Sequence, residues 1–272
     1  MKISTERKIQ LNNLKERAVS LLYPRVCPGC GKLLGRVMIP ETGETERDAG
    51  VGVQPVNPYI CPDCYSRLDF LEDTPRCMCC SKPLDSETDE YCSDCMEKER
   101  YFSWGRALMV HAEPARKIMY DLKYSNLRDN GDFLGYEMAV RMADIVGKMD
   151  AQAIIPVPLH RKRELERGYN QAGVVAEKMK FFMDIEGIPC PEIDSNYLAR
   201  KDSTSRLKEV SGGRRAESLW EAFAVEGEPG RYRRVILVDD IYTTGATINE
   251  CAKTLRRAGT DVVYFITCTV GS

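Results

Sequence analysis

The sequence predicts an α/β protein, a mostly parallel Rossmann-like sheet with a small cysteine-rich region ahead of it. Three observations carry this expectation. From Tyr101 onward, short apolar runs alternate with helix-like stretches, the pattern of repeated strand–helix–strand units. One of those runs, Val235–Val238, passes directly into two acids and a loop of small residues, Asp239-Asp240-Ile241-Tyr242-Thr243-Thr244-Gly245-Ala246-Thr247. Nine of the twelve cysteines fall between residues 27 and 95.

At 272 residues the chain has room for a large domain and a small one, or for two comparable ones. Its net charge of −2 provides no global basic field to draw in nucleic acid or an anionic membrane. No apolar run approaches the ~20 residues that a membrane span requires. The polar start, Met1–Gln10, argues against a secretory signal. A cytoplasmic protein is expected, and in that compartment its cysteines are thiols or metal ligands rather than disulfides.

The first element expected is an amphipathic helix over Thr5–Leu22, where Leu11, Leu14, Ala18, Leu21 and Leu22 recur at helical spacing within a leading segment 1–26. Residues 27–100 hold four C-x-x-C pairs: Cys27/Cys30, Cys61/Cys64, Cys77/Cys80 and Cys92/Cys95. Two-residue spacing turns both thiolates of a tight knuckle toward one tetrahedral ion, and two knuckles complete a four-thiolate site, so the pattern predicts two structural Zn²⁺ ions. The turn residues agree, with Pro28-Gly29 and Pro62-Asp63 inside knuckles and Gly31 and Ser81 following them. Sequential pairing is expected, with an interleaved cross-brace of the same eight ligands as the alternative. Cys79 reads as a non-ligand, with Cys77/Cys79 pairing left open. Iron–sulfur ligation would also use four thiolates. A redox C-x-x-C is disfavoured because that motif occurs once beside a βαβ unit, not four times in a loop-rich stretch. Residues 35–58, rich in Gly, Pro and Glu, read as a loop inserted between the first two knuckles.

Over 101–272 the predicted elements run in order: a strand at Trp104–His111, helices at Pro114–Tyr124 and Gly131–Met149, a strand at Ala153–Val157 and a helix at Tyr169–Met183. The motif strand Val235–Val238, its helix Thr247–Ala258 and a closing strand Val262–Val270 complete the set. Ligands of such a sheet gather at its carboxyl edge.

The motif loop joins a strand's carboxyl end to a helix start. Backbone N–H groups, threonine hydroxyls and the helix dipole there converge on an anion. Asp239 and Asp240 cannot hold that anion, but they suit the hydroxyls of a ribose. Together the parts describe a site for a 5-phosphoribosyl group at Asp239, Asp240, Thr243, Thr244, Gly245, Ala246 and Thr247. The segment closely resembles the phosphoribosyl-pyrophosphate (PRPP) signature of type I phosphoribosyltransferases: an apolar strand, two acids, three residues, then T-G-x-T. A second phosphate-binding candidate leaves the strand at Ala153–Val157. Arg161, Lys162, Arg163 and Arg167 place four cations within seven residues, ahead of Gly168. Arginine's fork matches phosphate oxygens, so this basic loop is a candidate grip for pyrophosphate, with Lys123 as a further ligand. The same charges fit a nucleic-acid patch. His111 and His160 read as structural.

Taken together, CPGC, CPDC, CMCC and CSDC, the YDLKY stretch, PVPLHRKRELERGYNQA and VILVDDIYTTGATINECAKTLRRAG resemble the ComF family of competence-associated phosphoribosyltransferase-like proteins, including the GntX-like members. The resemblance covers most of residues 20–272. It implies a type I phosphoribosyltransferase-like sheet behind a double zinc ribbon, PRPP with Mg²⁺ as ligands, and a role in DNA uptake on the cytoplasmic side. The chain departs from the family between Thr204 and Phe223, where Leu207 and Ser218 stand in place of amides, so the contacts those amides make in the family are not expected to carry over. Thr243 occupies the position where 6-oxopurine enzymes carry an acid, so a 6-oxopurine substrate is not expected, nor is glutamine amidotransfer. Three functions follow: a PRPP-dependent transferase whose acceptor the sequence leaves unnamed, a PRPP binder without turnover, and a DNA-uptake adaptor whose ribbons contact protein or single-stranded DNA.

Overall fold

The computed structural model describes residues 24–34, 57–72, 74–201 and 222–271. The helix expected at Thr5–Leu22, most of the 35–58 loop, and Leu207 and Ser218 lie outside the described residues.

The core is a five-stranded sheet in which every pairing is parallel. It consists of β1 (Gly105–Val110), β2 (Ala153–Pro156), β3 (Glu192–Ile193), β6 (Arg234–Tyr242) and β7 (Val262–Val270), in the order β1-β7-β6-β2-β3. A short antiparallel pair, β4 (Leu198–Arg200) with β5 (Phe223–Val225), stands beside it. Central parallel strands are covered on both faces and so read as unbroken apolar runs. Val235–Val238 obeys that rule and is fully buried. The strand nevertheless runs on through the acids, because Asp239 and Ile241 stay in register with Thr267 and Thr269 of β7.

The two faces carry different layers. α3 (Ala115–Tyr124), α4 (Asn130–Met149) and α6 (Gln171–Ile185) share one apolar cluster with Ile236, Val238 and Ile266. Gly135 lets α4 and α6 approach closely, since a Cβ there would lie 2.4 Å from Lys178 Cβ. On the other face α7 (Ala246–Arg257) packs with Leu237, Phe265, Tyr242 and the β4–β5 pair. The chain leaves β2 toward α6 on the first face and β6 toward α7 on the second. The carboxyl ends of β2 and β6 therefore flank the crevice where an open α/β sheet binds its ligand.

The cysteine-rich part is two copies of one small unit. Each opens with a hairpin knuckle, closed by the pairings Val26–Leu33 and Arg76–Pro83. In each the fifth residue of the knuckle turns left-handed, Gly31 at φ 76° and Ser81 at φ 68°. Each ends in a short helix that starts after a cysteine: α1 (Pro62–Tyr65) after Cys61 and α2 (Ser93–Glu97) after Cys92. An ion pair ties the two halves of each unit at equivalent positions, Lys32–Asp63 at 3.1 Å and Lys82–Asp94 at 2.9 Å. The linker between the copies lies along the sheet: Leu71 N–H donates to the Leu108 carbonyl at 3.2 Å and Val110 N–H to the Asp69 carbonyl at 2.9 Å. The first copy is fastened to α4 by polar groups. Arg25 meets Asp132 at 2.8 Å, and the buried Glu137 takes Arg141 at 2.6 Å and Asn57 at 2.8 Å.

Candidate functional site

The two motif acids differ in their surroundings. Asp240 is buried, and both its carboxylate oxygens are engaged. Lys123 Nζ lies 3.0 Å from Oδ1, and Gln171 Nε2 donates to Oδ2 at 2.7 Å. Asp239 is half-buried, and its Oδ1 accepts the Asp240 N–H at 2.8 Å. Among the described residues its second oxygen takes no hydrogen bond. Desolvation, followed by the charge of Asp240, pushes the Asp239 carboxyl well above its ordinary range, against the pull of that N–H, Lys123 and Arg200.

Lys123, at the last turn of α3, is therefore drawn into the motif by a buried pair. Gln171, at the first turn of α6, connects the motif to the basic segment, because its Oε1 accepts from Arg167 Nη1 at 2.9 Å. Arg167 also lies over the Tyr124 ring, 4.9 Å from its centroid. Asn170 sets the start of α6: its side chain caps Ala172 N–H at 3.0 Å and donates to the Val157 carbonyl at 3.0 Å. Arg167, Gln171, Asp240 and Lys123 thus form one continuous polar chain across the crevice.

The structure corrects one local expectation. Arg161–Arg167 is a helix, α5, not a loop. His160 caps it by accepting Lys162 N–H at 3.2 Å, and Gly168 ends it at a left-handed φ of 75°. Arg161 and Arg163 are exposed on it, and Lys162 faces Glu166 at 4.0 Å. The Gly168 carbonyl accepts from Arg128 Nη2 at 2.8 Å. His160, expected to be structural, holds that helix start.

The loop Thr243–Thr247 joins the end of β6 to the start of α7. Thr243, Thr244, Ala246 and Thr247 are exposed, while Gly245 is buried at φ 75° as the residue preceding α7. No side chain fits at 245, where a Cβ would lie 2.3 Å from Tyr242 Oη. The first N–H groups of α7 carry its positive end, with Thr244 Oγ1 3.4 Å from Ala246 N.

Besides Gln171, three residues near the site escaped sequence reasoning. His111, at the end of β1, shares a hydrogen bond of 3.0 Å with Thr269 Oγ1, which donates to the Asp240 carbonyl at 3.4 Å. Burial, then the charges of Lys123 and Arg116, hold its imidazole below the usual range. Arg200 on β4 acts on Asp239 through its charge. Arg100 donates from Nη1 to the Thr244 carbonyl at 3.2 Å. Each reaches the motif from a distant part of the chain, and a strand-end position was the one available signal, for His111.

The cysteines gather as two tetrads, Cys27/Cys30/Cys61/Cys64 and Cys77/Cys80/Cys92/Cys95, with the sulfurs of each within 4.8 Å of one another. The pairing is sequential, not cross-braced, and Cys79 stands outside. Its carbonyl instead accepts Gly105 N–H at 2.9 Å. The donor set fits a thiolate-bound ion. Burial raises the thiols of Cys61, Cys64, Cys80 and Cys95, whereas at Cys27 the backbone N–H groups of Cys61, Cys30 and Gly29 outweigh burial and bring the thiol to about 7. Cys77 is brought to about 7 in the same way, by the N–H groups of Cys92, Cys80 and Cys79. Closed four-sulfur sites of this kind suit structural zinc.

The fold defines a class: an open parallel α/β sheet with a cysteine double ribbon on its N-terminal side. A family model for the double zinc ribbon domain matches residues 52–96. Competence protein F of Haemophilus influenzae is 30% identical over 213 residues, covering 75% of this chain and 87% of that protein. The chain belongs to the ComF family. The DNA utilization protein YhgH of Escherichia coli K12 is 27% identical over 75% of this chain and 87% of its own length. Competence protein ComFC of Streptococcus pneumoniae is 26% identical over 74% and 82%. A hypoxanthine-guanine phosphoribosyltransferase structure from Schistosoma mansoni, in complex with IMP, aligns over 53% of this chain and 64% of that one at 14% identity, with a TM-score of 0.30. Among the described residues no helix is long and apolar enough to cross a membrane.

Proposed function

We propose that this chain binds PRPP at the carboxyl edge of β6 and acts, as a phosphoribosyltransferase-like protein, in DNA uptake or use on the cytoplasmic side. The observation that carries the ligand is the conjunction, at the sheet's switch point, of an acid with an unshared oxygen and an exposed threonine loop that opens a helix. The DNA role rests on the relatives named for competence and DNA utilization.

In this reading the Thr243–Thr247 loop holds the 5-phosphate through backbone N–H groups and hydroxyls. Asp239 accepts from the ribose hydroxyls. Asp240 keeps Lys123 and Gln171 in place, and Gln171 in turn orients Arg167. Arg161, Arg163 and Arg167 face the pyrophosphate. Mg²⁺ bound with PRPP would neutralise pyrophosphate charge. The two ribbons hold zinc as structural ions.

Calorimetric titration with PRPP and Mg²⁺ tests the ligand. Asp239→Ala should cost about 1.5–3 kcal/mol of affinity through lost charge-assisted hydrogen bonds. No PRPP affinity in the wild type, or equal affinity in the variant, would sink the assignment.

The basic helix has its own test. The double variant Arg163→Ala/Arg167→Ala should weaken PRPP and free pyrophosphate while sparing ribose 5-phosphate, which needs only the threonine loop. Were α5 instead a single-stranded DNA contact, the same variant would leave pyrophosphate unchanged. It would also lower the salt slope of DNA binding by about one unit per lost phosphate contact. Gly168 and the Arg167–Gln171 link to the motif favour the compact anion.

A further inference from the structure

The two cysteine tetrads are not equivalent in where they attach. Cys27, Cys61 and Cys64 belong to the apolar cluster of α3, α4 and α6. Cys77 and Cys80 are buried in the opposite cluster, together with Tyr242, Phe102 and Phe265. The second tetrad therefore packs on the face from which the phosphate loop departs.

Direct polar contacts cross that seam. Arg100 Nη2 donates to the Asp94 carbonyl, inside the second ribbon, at 3.2 Å. Its Nη1 donates to the Thr244 carbonyl in the phosphate loop, also at 3.2 Å. Asn249, on the first turns of α7, clamps the residues on both sides of Arg100. It accepts from Tyr101 N at 2.7 Å and donates to the Glu99 carbonyl at 3.1 Å. From below, the Tyr242 ring stacks on Phe265 at 5.0 Å and 5°, which fixes where its hydroxyl points. That hydroxyl occupies the space a Cβ of residue 245 would need, so it sets the seat of the loop's left-handed glycine.

Two buried donors at this seam, Arg100 Nε and Tyr242 Oη, meet no nitrogen or oxygen acceptor among the described residues. Each lies against a ligand of the second tetrad, Tyr242 Oη against Cys80 and Arg100 against Cys95. A neutral thiol is a weak acceptor, whereas a metal-bound thiolate is a charged one. Buried donors are costly when unmatched, so the seam is built for a tetrad of thiolates. We propose that the second tetrad, in its metal-bound form, buttresses the Thr243–Thr247 loop, and that Arg100 and Tyr242 are the positioning residues that transmit its state to the loop. The functional meaning of this link rests on the phosphate-binding reading of the loop; its mechanics do not.

Amide hydrogen exchange on the full chain, read over residues 243–250, tests the link with no ligand present. Cys95→Ser breaks the second tetrad and Cys30→Ser the first, with metal content measured alongside. Loop exchange should quicken about tenfold or more in Cys95→Ser, as local opening becomes easier, and stay unchanged in Cys30→Ser. Tyr242→Phe and Arg100→Met should keep the full metal complement yet quicken loop exchange and weaken ribose 5-phosphate. Tyr242→Phe keeps the ring stack and the metal, so it decides the matter if Cys95→Ser does not fold. Unchanged loop exchange in Tyr242→Phe and Arg100→Met, or equal effects of breaking either tetrad, would overturn the proposal. A wild type that ignores ribose 5-phosphate would remove the phosphate reading and leave the exchange result to stand or fall by itself.

Discussion

Cys80→Ser should lower the metal content from about two ions per chain to about one, and should unfold the second ribbon. Cys80 is fully buried beside Tyr242 and Phe102 in the core that also holds the motif strand. Binding free energies of structural zinc, about 10–16 kcal/mol, match or exceed the ~5–15 kcal/mol that holds a whole domain folded. A ribbon this short has no apolar core large enough to replace that contribution. The variant should therefore melt well below the wild type, and Phe102 and Tyr242 should lose their fixed environment, visible in near-ultraviolet circular dichroism. Elemental analysis together with a melting curve checks both parts. A full metal complement and wild-type melting in Cys80→Ser would refute the structural role. Iron in freshly purified wild type, or no metal at all, would refute the choice of zinc.

Asp240→Ala is expected to cost about 3–5 kcal/mol of stability, the usual penalty for removing one partner of a buried ion pair. The change strands the Lys123 ammonium, whose side chain is only 18% exposed, and the Gln171 amide that donates to the same carboxylate. Asp240→Asn keeps an acceptor for Lys123 and should cost less. Asp239→Ala should leave stability nearly untouched, because Asp239 is half-buried and its one hydrogen bond among the described residues comes from the next residue. Urea unfolding of the three variants separates them. Equal midpoints for Asp240→Ala and wild type would show that the Lys123–Asp240 pair contributes nothing to the fold.

The two acids read as equivalent in the sequence, and only the fold divides their labour. The sheet itself was largely legible. Val235–Val238 is apolar on both faces because it is central and parallel, and a half-exposed strand would have placed a polar residue at every second position. Charge ordinarily marks a strand's end, which sets the expected boundary at Val238, whereas β6 keeps pairing with β7 past it, Asp239 with Thr267 and Ile241 with Thr269. The helix at Arg161–Arg167 is hidden for a different reason. Its one aliphatic residue, Leu165, is 76% exposed, so no apolar stripe marks it, and a cap and a terminal glycine set its bounds. The β4–β5 pair joins segments on either side of residues 201–222, too far apart to announce a hairpin. The cysteine spacing predicted both tetrads, because metal geometry is written in local sequence. Gln171, Arg200 and Arg100 reach the motif only through the topology of the sheet, which local pattern does not record. Lys123 was a candidate ligand from its sequence setting, but its partner Asp240 lies far along the chain and is set by the same topology.

An open parallel sheet has two flanks whose unpaired N–H and C=O groups invite strands from other chains. In this fold neither flank is freely offered. On one side, residues 69–71 lie antiparallel against β1, bridging Phe70 to Met109 and occupying its backbone groups at Leu108 and Val110. On the other, the sheet ends in β3, only two residues long, which gives an incoming strand almost nothing to extend. The segment that covers β1 is the span between the two cysteine tetrads, anchored at each end by four sulfurs. The ribbons thus act as a seal on the sheet's longer border, leaving no open β1 edge at Leu108–Val110 for an incoming strand.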